Sequence, residues 1–487
     1  MKIPRLLITA LKGGSGKTLI TVGLTAALRK RGLCPSVFKK GPDYIDSGWL
    51  GIAANRPCYN LDQYLFPRDI ILRSFIHRSA NSRIAIVEGN RGLFDGVDNQ
   101  GSFSSAELAK LLMSPTILII DCVKMTGTAA ALVKGCLEFD PELHIAGIIL
   151  NRIKGARHEQ VVRQSIQRIS NIPVLGVVPS MRLKNFPQRH LGLIPIQEHP
   201  ASMDFVEEAR MIAENSLDLD EIKKVSQLAG DLNVVWRIGE NPQSGRLGQR
   251  VKIGILRDSA FQFYYPENIE ALRVRGAEII EISALESNSL PEIDALYIGG
   301  GFPETNADRL AGAWFFKASV KSFVESGGPA YAECGGFMFL ARELVVDHKT
   351  FPMVGVFAAQ SILRTRPQGL GYVELRARDE NPFFETGKTL RGHEFHYSTM
   401  VLDNVGSHHR PFDVLRGYGV DGAHDGLCVK NALGLYSHIH ALGEPSWADA
   451  LIRKAQEFRL NKILQNENLR NAKNPETHGG RPERRSW

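Results

Sequence analysis

Short apolar runs alternate with longer amphipathic stretches from the start of the chain. The run RLLITA (5–10) is followed by a stretch with helical spacing of apolar residues (17–31) and then by PSVFKK (35–40). This order predicts a βαβ unit. The runs RIAIVEG, TILIID, IAGIILN and VLGVVP continue the series to about residue 200. Because these runs are apolar at nearly every position, we predict a parallel sheet buried on both faces.

A second series of apolar runs begins at residue 251 with VKIGILRD and continues with AEIIEIS, DALYIGGG, GGPAYAECGG and LGLYSHIH. We therefore predict an α/β fold with two doubly wound, mostly parallel-sheet domains. The expected limits are 1–200 for the first domain, 201–248 for a helical connector and linker, 249–445 for the second domain, and 446–487 for a helical end and a disordered tail. The linker is expected in the polar, glycine-containing stretch 240–250, and the tail in the polar stretch 471–487.

Composition narrows the class of protein. The chain has 487 residues, 43% of them hydrophobic and 23% charged, which is typical of a globular protein with several domains. No apolar run reaches the roughly 18 residues that a membrane helix needs, so we expect no membrane association. Six scattered cysteines without a CxxC pair indicate a reduced, cytoplasmic setting. The net charge of +7 without a basic aromatic helix favours small anionic ligands over nucleic acid.

A glycine-rich loop, LKGGSGKTL, lies between the first predicted strand and helix. Backbone N–H groups in such a loop turn towards phosphate oxygens, and the glycines expected to do so are Gly13, Gly14 and Gly16. Lys17 is expected to reach the β/γ-phosphates of ATP, and the Thr18 hydroxyl to bind Mg²⁺. The string KGGSGKT resembles the deviant Walker loop of partition-type ATPases and their synthetase relatives, in which a second, signature lysine stands at Lys12. We expect Lys12 to belong to the nucleotide-binding site as well.

Carboxylates follow the next predicted strands, where open α/β sheets place their ligands. Asp43 and Asp46 come after the second strand in FKKGPDYIDSGW, and Glu88 and Asp95 belong to VEGNRGLFDG. We predict that Asp43 and Asp46 belong to the nucleotide-binding site. We also predict that Glu88 and Asp43, together with Thr18, bind Mg²⁺, a cation that prefers oxygen ligands. Asp121 and Asn151 share this placement at strand ends, and a structural role suits them equally well.

A nucleophile is predicted in the second series of runs. Cys334 follows a strand in PAYAECGGF, and a strand-to-helix elbow there would present its thiol, with the helix N-terminus lowering the thiol pKa. Backbone N–H groups of Gly300, Gly301 and Gly335 are predicted to form an oxyanion hole. His438, in LGLYSHIH, is the predicted base, and His440 lies beside it.

Taken in order, these motifs resemble the cobyrinate a,c-diamide synthase family over about residues 3–445. The strings that carry the resemblance are KGGSGKT, FKKGPDYID, NLDQYL, VEGNRGLFDG, RHLGL, FQFYYPENIE, GGGFPE, YAECGGFMFL and YSHIH. The resemblance implies a dethiobiotin-synthetase-like ATPase domain fused to a class I glutamine amidotransferase domain. It also implies amidation of the a- and c-acetate groups of a tetrapyrrole with ATP, Mg²⁺ and glutamine, and ammonia that travels inside the protein. The partners would be small molecules, with a homodimer left open.

The motifs leave alternatives. Nickel-sirohydrochlorin and hydrogenobyrinate a,c-diamide synthases share nearly all of them, and cobyrate synthase, which amidates other side chains, fits YSHIH and FKKGPDYID less well. A partition-type ATPase switch would explain Lys12 but has no use for a Cys334 domain. Many glutamine amidotransferases carry a glutamate two residues after the base; His440 stands there, so the third member of the Cys–His site is unassigned.

Overall fold

A computed structural model describes residues 2–181, 188–189, 192–199, 201–232, 250–403 and 409–473. The predicted linker, apart from Arg250, and most of the predicted tail (474–487) lie outside these residues. Among the described residues, no helix combines the length and apolar character needed to cross a membrane.

The first half of the chain forms a seven-stranded, wholly parallel sheet in the order β3-β2-β4-β1-β5-β6-β7. Its strands are β1 (Arg5–Ala10), β2 (Ser36–Lys40), β3 (Cys58–Leu61), β4 (Ala85–Glu88), β5 (Thr116–Asp121), β6 (Ile145–Ile153) and β7 (Val174–Pro179). Two short strands follow, β8 (Gln188–Arg189) and β9 (Gly192–Leu193). Apolar side chains from the two sheet faces form two separate cores, which confirms the predicted sheet buried on both faces.

Eight helices accompany this sheet in the described residues. They are α1 (Lys17–Lys30), α2 (Ile45–Ala54), α3 (Arg68–Ser79), α4 (Ser105–Leu111), α5 (Gly127–Phe139), α6 (Ala156–Gln167), α7 (Ser202–Ser216) and α8 (Leu219–Ser226). The helices α7 and α8 bury Phe205, Ala209 and Ile222 in the core that also holds the apolar face of α1. Close packing of α7 on α1 explains Gly23, where a Cβ would lie 2.3 Å from the carbonyl oxygen of Ala209.

The second half is built on a six-stranded sheet in the order β11-β10-β12-β13-β23-β22, parallel except for its last pair. The strands of this half are β10 (Lys252–Leu256), β11 (Glu278–Ile282), β12 (Ala295–Ile298), β13 (Ala330–Glu333), β14 (Ala341–Val346), β15 (Lys349–Pro352), β16 (Phe357–Leu363), β17 (Gly369–Ala377), β18 (Thr389–His396), β19 (Ser398–Leu402), β20 (Phe412–Arg416), β21 (His424–Asp425), β22 (Leu427–Val429), β23 (Ala432–Leu435) and β24 (His438–Ile439). Its helices are α9 (Pro266–Val274), α10 (Ala307–Gly312), α11 (Trp314–Glu325), α12 (Gly335–Leu340) and α13 (Pro445–Lys473).

Two further sheets, which the apolar runs did not predict, flank this parallel sheet. One has the order β15-β14-β16-β19, and the other, β21-β20-β17-β18-β24, is antiparallel throughout. The second of these sheets ends at β24, so the predicted base His438 is held by the pairing of β24 with β18.

The two halves pack directly against each other. Tyr59 and Arg78 of the first half each hydrogen-bond the carboxylate of Glu270, at 2.7 Å. Tyr372 of the second half donates a 2.7 Å hydrogen bond to Asp62. These contacts satisfy polar groups at the interface, as burial requires. The strand ends of the first sheet therefore lie against the second half of the chain.

Candidate active sites

The phosphate loop joins β1 to α1 and is shaped by glycine. Gly14 and Gly16 have φ values of +69° and +87°, in the left-handed region that favours glycine. Asn151, at the end of β6, donates a 2.8 Å hydrogen bond to the carbonyl oxygen of Ser15. A Cβ on Gly16 would lie 2.4 Å from Nδ2 of Asn151, so this amide can approach only a glycine. Asn151 thus supports the loop from a neighbouring strand.

Lys17 and Thr18 begin α1 and point back to the strand ends. The Lys17 ammonium donates to the carbonyl oxygens of Lys12 (3.0 Å) and Arg91 (2.7 Å). Burial, and then the nearby charge of Lys39, lowers the pKa of Lys17. The Thr18 hydroxyl donates to Oε1 of Glu88 at 2.9 Å. The structure therefore brings the predicted phosphate lysine, threonine and Glu88 to one place.

Lys12, by contrast, is mostly exposed. Its ammonium lies 3.8 Å from the carboxylate of Asp121, and 72% of its side chain is accessible. Arg152 donates to the same carboxylate at 2.9 Å and to the carbonyl oxygen of Gly14 at 2.8 Å. Asp121 therefore supports the phosphate loop through its contacts with Lys12 and Arg152. Sequence reasoning did not single out Arg152, whose contact depends on β5 and β6 lying side by side.

A buried lysine joins the predicted carboxylates. The Lys39 ammonium lies 2.6 Å from Asp46, 2.7 Å from Glu88 and 4.0 Å from Asp43, and its side chain is 1% exposed. Burial opposes its charge, but the charges of Asp46, Glu88 and Asp43 raise the Lys39 pKa overall. Sequence reasoning missed Lys39, although a lysine within a strand expected to be buried on both faces is a signal that a buried anion faces it.

Two of the carboxyl groups are less readily ionised than usual. Burial, followed by the charge of Asp46, raises the pKa of Asp43 to about 7. Burial also raises the pKa of Glu88. The Asp95 carboxylate accepts the N–H of Gly92 at 2.9 Å and shapes the turn after β4. The predicted aspartates Asp43 and Asp46 thus gather with Glu88, whereas Asp95 has a local structural contact.

The residues beside Thr18 fit Mg²⁺ in one respect. Oε2 of Glu88 is buried and makes no hydrogen bond with the described residues, so this oxygen is available to a cation. In the described part of the chain, no three or more His, Cys, Asp and Glu side chains are grouped so that they could hold a metal ion. A site with few protein ligands suits Mg²⁺, which keeps several waters and binds nucleotide phosphates.

Cys334 occupies a strained elbow between β13 and α12. Its φ and ψ are 46° and −102°, an unusual conformation for a residue with a side chain. The Cys334 N–H donates to the carbonyl oxygen of Leu435 at 2.8 Å, which fixes the elbow against β23. A Cβ on Gly336 would lie 2.5 Å from the carbonyl oxygen of Ile298, so the turn needs a small residue there. The predicted strand-to-helix elbow is therefore present.

The expected lowering of the Cys334 pKa is wrong. The thiol is buried, with 5% of the residue exposed, and burial raises its pKa above the ordinary value. The negative charges of Glu304 and Glu333 raise the Cys334 pKa further, whereas the Gly335 N–H acts in the opposite direction. Because α12 has only six residues, its N-terminus does not offset this burial. Forming the thiolate consequently requires a base that accepts its proton.

His438 and the predicted oxyanion glycines converge on this elbow. A Cβ on Gly300 would lie 2.6 Å from Cε1 of His438, so the imidazole lies directly against the glycine loop. A Cβ on Gly335 would lie 2.9 Å from the backbone nitrogen of Gly301. The loop 299–301 therefore lies between the elbow and the imidazole. His440 is not part of this contact with the glycine loop: its ring packs against Tyr265, with centroids 4.4 Å apart.

Comparison with known proteins agrees with both halves of the fold. Residues 6–193 match the CobQ/CobB/MinD/ParA nucleotide binding domain, and residues 252–446 match the CobB/CobQ-like glutamine amidotransferase domain. The cobyrinate a,c-diamide synthase of Magnetococcus marinus is 41% identical, over 93% of this chain and 97% of the relative. The synthase of the same name from Archaeoglobus fulgidus is 36% identical, over 94% and 98%.

A third relative, the cobyrinate a,c-diamide synthase of Picrophilus torridus, is 38% identical over 93% of this chain and 99% of the relative. The fold, its two matched domains and these relatives define a glutamine-dependent amide ligase that uses ATP. The chain belongs to the cobyrinate a,c-diamide synthase family. This class leaves the partition-type switch without support, because a switch has no need of a glutamine amidotransferase domain.

Proposed function

We propose that this protein amidates the a- and c-acetate carboxylates of cobyrinate, giving cobyrinate a,c-diamide in cobalamin biosynthesis. The names of the relatives support the substrate. The observation that supports the mechanism is that the candidate residues gather in two separate places, one around the phosphate loop and one around Cys334. Six free cysteines and dependence on ATP and glutamine favour the cytoplasm.

In the second domain, Cys334 attacks the carboxamide carbon of glutamine and His438 takes the thiol proton. The predicted donors Gly300, Gly301 and Gly335 face the developing oxyanion. The proton leaves with the nitrogen as ammonia, and water then hydrolyses the thioester to glutamate. Burial raises the pKa of the Cys334 thiol, so the thiol stays neutral until the base acts, as this mechanism requires.

In the first domain, a substrate carboxylate is phosphorylated by ATP and ammonia displaces the phosphate. Gly13, Gly14 and Gly16 would cradle the phosphates, and Lys17 would neutralise the charge that develops on the transferred group. Thr18, Glu88 and Asp43 would hold Mg²⁺, which supplies charge neutralisation at the phosphates when bound. Asp46 and Lys39 fix the position of Glu88.

The proposal also specifies which macrocycle is the substrate. Nickel-sirohydrochlorin and hydrogenobyrinate carry equivalent acetate groups, and the site residues named here act on the carboxylate and the phosphate rather than on the ring metal. Cobyrinate is favoured because the three relatives carry its name. Parallel assays with the three macrocycles would separate these substrates.

The test of the two-site mechanism exchanges the nitrogen donor. We expect Cys334→Ala to reduce glutamine-dependent amidation by about a thousandfold or more while amidation from added ammonia stays at the parent rate. We expect Lys17→Ala to reduce amidation from either donor by about a hundredfold. Rates are measured by product formation under saturating ATP.

Two matched variants control this experiment. Cys428→Ala removes a half-exposed cysteine of the same domain, and Lys30→Ala removes an exposed lysine at the end of α1. Both should behave as the parent with either donor. Equal losses with glutamine and ammonia in Cys334→Ala, or full activity in Lys17→Ala, would show that the sites are assigned wrongly.

A further inference from the structure

The base of a cysteine nucleophile is usually oriented by an acceptor at its second ring nitrogen. His438 is buried, and its Nδ1 makes no hydrogen bond with the described residues. One face of its ring stacks on His393, with centroids 4.8 Å apart and planes at 18°, and Tyr44 lies 5.3 Å away. Neither neighbour is an acceptor for Nδ1, so the orienting group must come from another element.

The residue two positions after His438 does not supply this orienting group. His440 stands there, and Oε2 of Glu267 lies 3.7 Å from its Nε2. Nδ1 of His440 accepts the N–H of Leu442 at 3.1 Å, and Phe66 packs on the ring at 4.8 Å. The carboxylate of Glu267 therefore belongs to the surroundings of His440 rather than to those of His438.

A different carboxylate does face the base. Glu333 is the last residue of β13 and directly precedes Cys334. Its Oε2 lies 3.4 Å from Nδ1 of His438, and both side chains are at most 2% exposed. A buried carboxylate beside a buried imidazole interacts strongly, because little water screens the pair. This contact joins the strand that carries the nucleophile to the strand that carries the base.

The carboxylate of Glu333 is itself held firmly. Oε1 accepts the N–H of Ile439 at 3.0 Å and the hydroxyl of Tyr331 at 3.1 Å. Oε2 accepts the hydroxyl of Tyr297 at 3.2 Å. These donors come from three different strands or their ends, so the carboxylate cannot turn away from His438 without losing several hydrogen bonds at once.

We infer that Glu333 is the positioning residue of the glutaminase site and completes a Cys334–His438–Glu333 triad. The inference rests on the proposed roles of Cys334 and His438. In this role the carboxylate accepts a hydrogen bond from Nδ1–H of His438, which leaves Nε2 unprotonated to take the proton of the Cys334 thiol. It then stabilises the imidazolium that forms, until the proton passes to the leaving nitrogen. Because burial raises the pKa of Cys334, stabilising the imidazolium matters more here than beside an exposed thiol.

The test compares Glu333→Gln with Glu267→Gln. Both changes remove a buried carboxylate that faces a histidine of the same segment, but only the first reaches His438. We expect Glu333→Gln to lower kcat for glutamine hydrolysis by about a hundredfold or more, with ammonia-dependent amidation unchanged. We expect Glu267→Gln to hydrolyse glutamine at the parent rate.

A second readout separates orientation of the base from a general effect on the fold. The rate of Cys334 alkylation by iodoacetamide is followed against pH on the peptide that contains this residue, since Cys34 is exposed and would also react. His393, Tyr44 and Glu333 are the side chains that face the imidazole. Losing only the carboxylate should destabilise the imidazolium, so we expect the alkylation profile of Glu333→Gln to move to higher pH.

Parent-like glutamine hydrolysis in Glu333→Gln, or an equal loss in Glu267→Gln, would overturn the inference. If Glu333→Gln also loses ammonia-dependent amidation, Glu333→Asp decides, because it keeps a carboxylate at this position. Hydrolysis and an alkylation profile closer to the parent than those of Glu333→Gln support the role, and values no closer to the parent refute it. Cys334→Ala is measured in parallel. Its retention of glutamine hydrolysis would refute the nucleophile assignment itself, whatever Glu333→Gln does.

Discussion

At the scale of single residues, the surroundings decide what each ionisable group can do. Lys39 stays charged in a buried position because three carboxylates surround it. Asp43, at 4.0 Å, is the most distant of the three from the Lys39 ammonium, and burial raises its pKa to about 7. The charge of Asp43 therefore changes near neutral pH.

Asp43→Asn tests this charge without disturbing the loop. Oδ1 of Asp43 accepts the N–H of Asp46 at 2.9 Å, and an asparagine oxygen can do the same. We expect an unchanged melting temperature and glutaminase activity but loss of most amidation from either donor. In the parent, ionisation of Asp43 as the pH rises through about 7 should tighten Mn²⁺ binding, measured by electron paramagnetic resonance. The variant should lose that increase.

Asp46→Asn provides the contrast. Its carboxylate lies 2.6 Å from the buried Lys39 ammonium, so removing it should also lower the melting temperature, since the buried charge of Lys39 is then compensated less completely. If Asp43→Asn amidates at the parent rate and keeps the pH dependence of Mn²⁺ binding, the loop 43–46 is a structural turn only.

The site residues that could be predicted from the sequence are those that belong to a short, contiguous motif. Lys17 and Thr18 belong to a contiguous glycine-rich loop, and Cys334 is flanked by glycines after an apolar strand. Lys39 and Glu333 were missed because their partners come from other elements: Glu88 lies on β4, and His438 lies on β24. Only strand order brings such pairs within contact distance.

At the scale of elements, long buried strands were predictable and half-exposed ones were not. The strands β1, β5 and β6 are continuous apolar runs because helices cover both faces of their sheet. The strand β16 alternates buried and more exposed positions along FAAQSIL, a pattern that small residues obscure in the sequence. The packing of α7 on α1 could likewise not be predicted from the sequence, since it depends on the close contact at Gly23.

At the scale of the whole molecule, one short segment contacts both sites. Asp43 and Asp46 face Lys39 in the first domain, whereas Tyr44 between them packs against the second domain. The Tyr44 ring stacks on Phe263 with centroids 5.2 Å apart and planes at 6°, and it lies 5.3 Å from the ring of His438. The segment 43–46 therefore connects the proposed synthetase site with His438, the proposed base of the glutaminase site.

Tyr44→Ala should weaken this connection. Removing the ring opens space beside His438, so we expect ammonia to escape and the ratio of glutamate released to amide formed to rise above that of the parent. Tyr59→Phe removes an interface hydrogen bond to Glu270 without touching either site and should leave the ratio unchanged. An unaltered ratio in Tyr44→Ala would show that the ring has no part in transfer between the sites.

The central claim is that nitrogen released from glutamine at Cys334 becomes the amide nitrogen of the ring. It is tested most directly by mass spectrometry of the product formed from cobyrinate, ATP and glutamine labelled with ¹⁵N in its amide, with unlabelled ammonium present. We expect a diamide that carries the label in both new amides. Amides without the label, or hydrolysis of glutamine with no amide on the ring, would contradict the account.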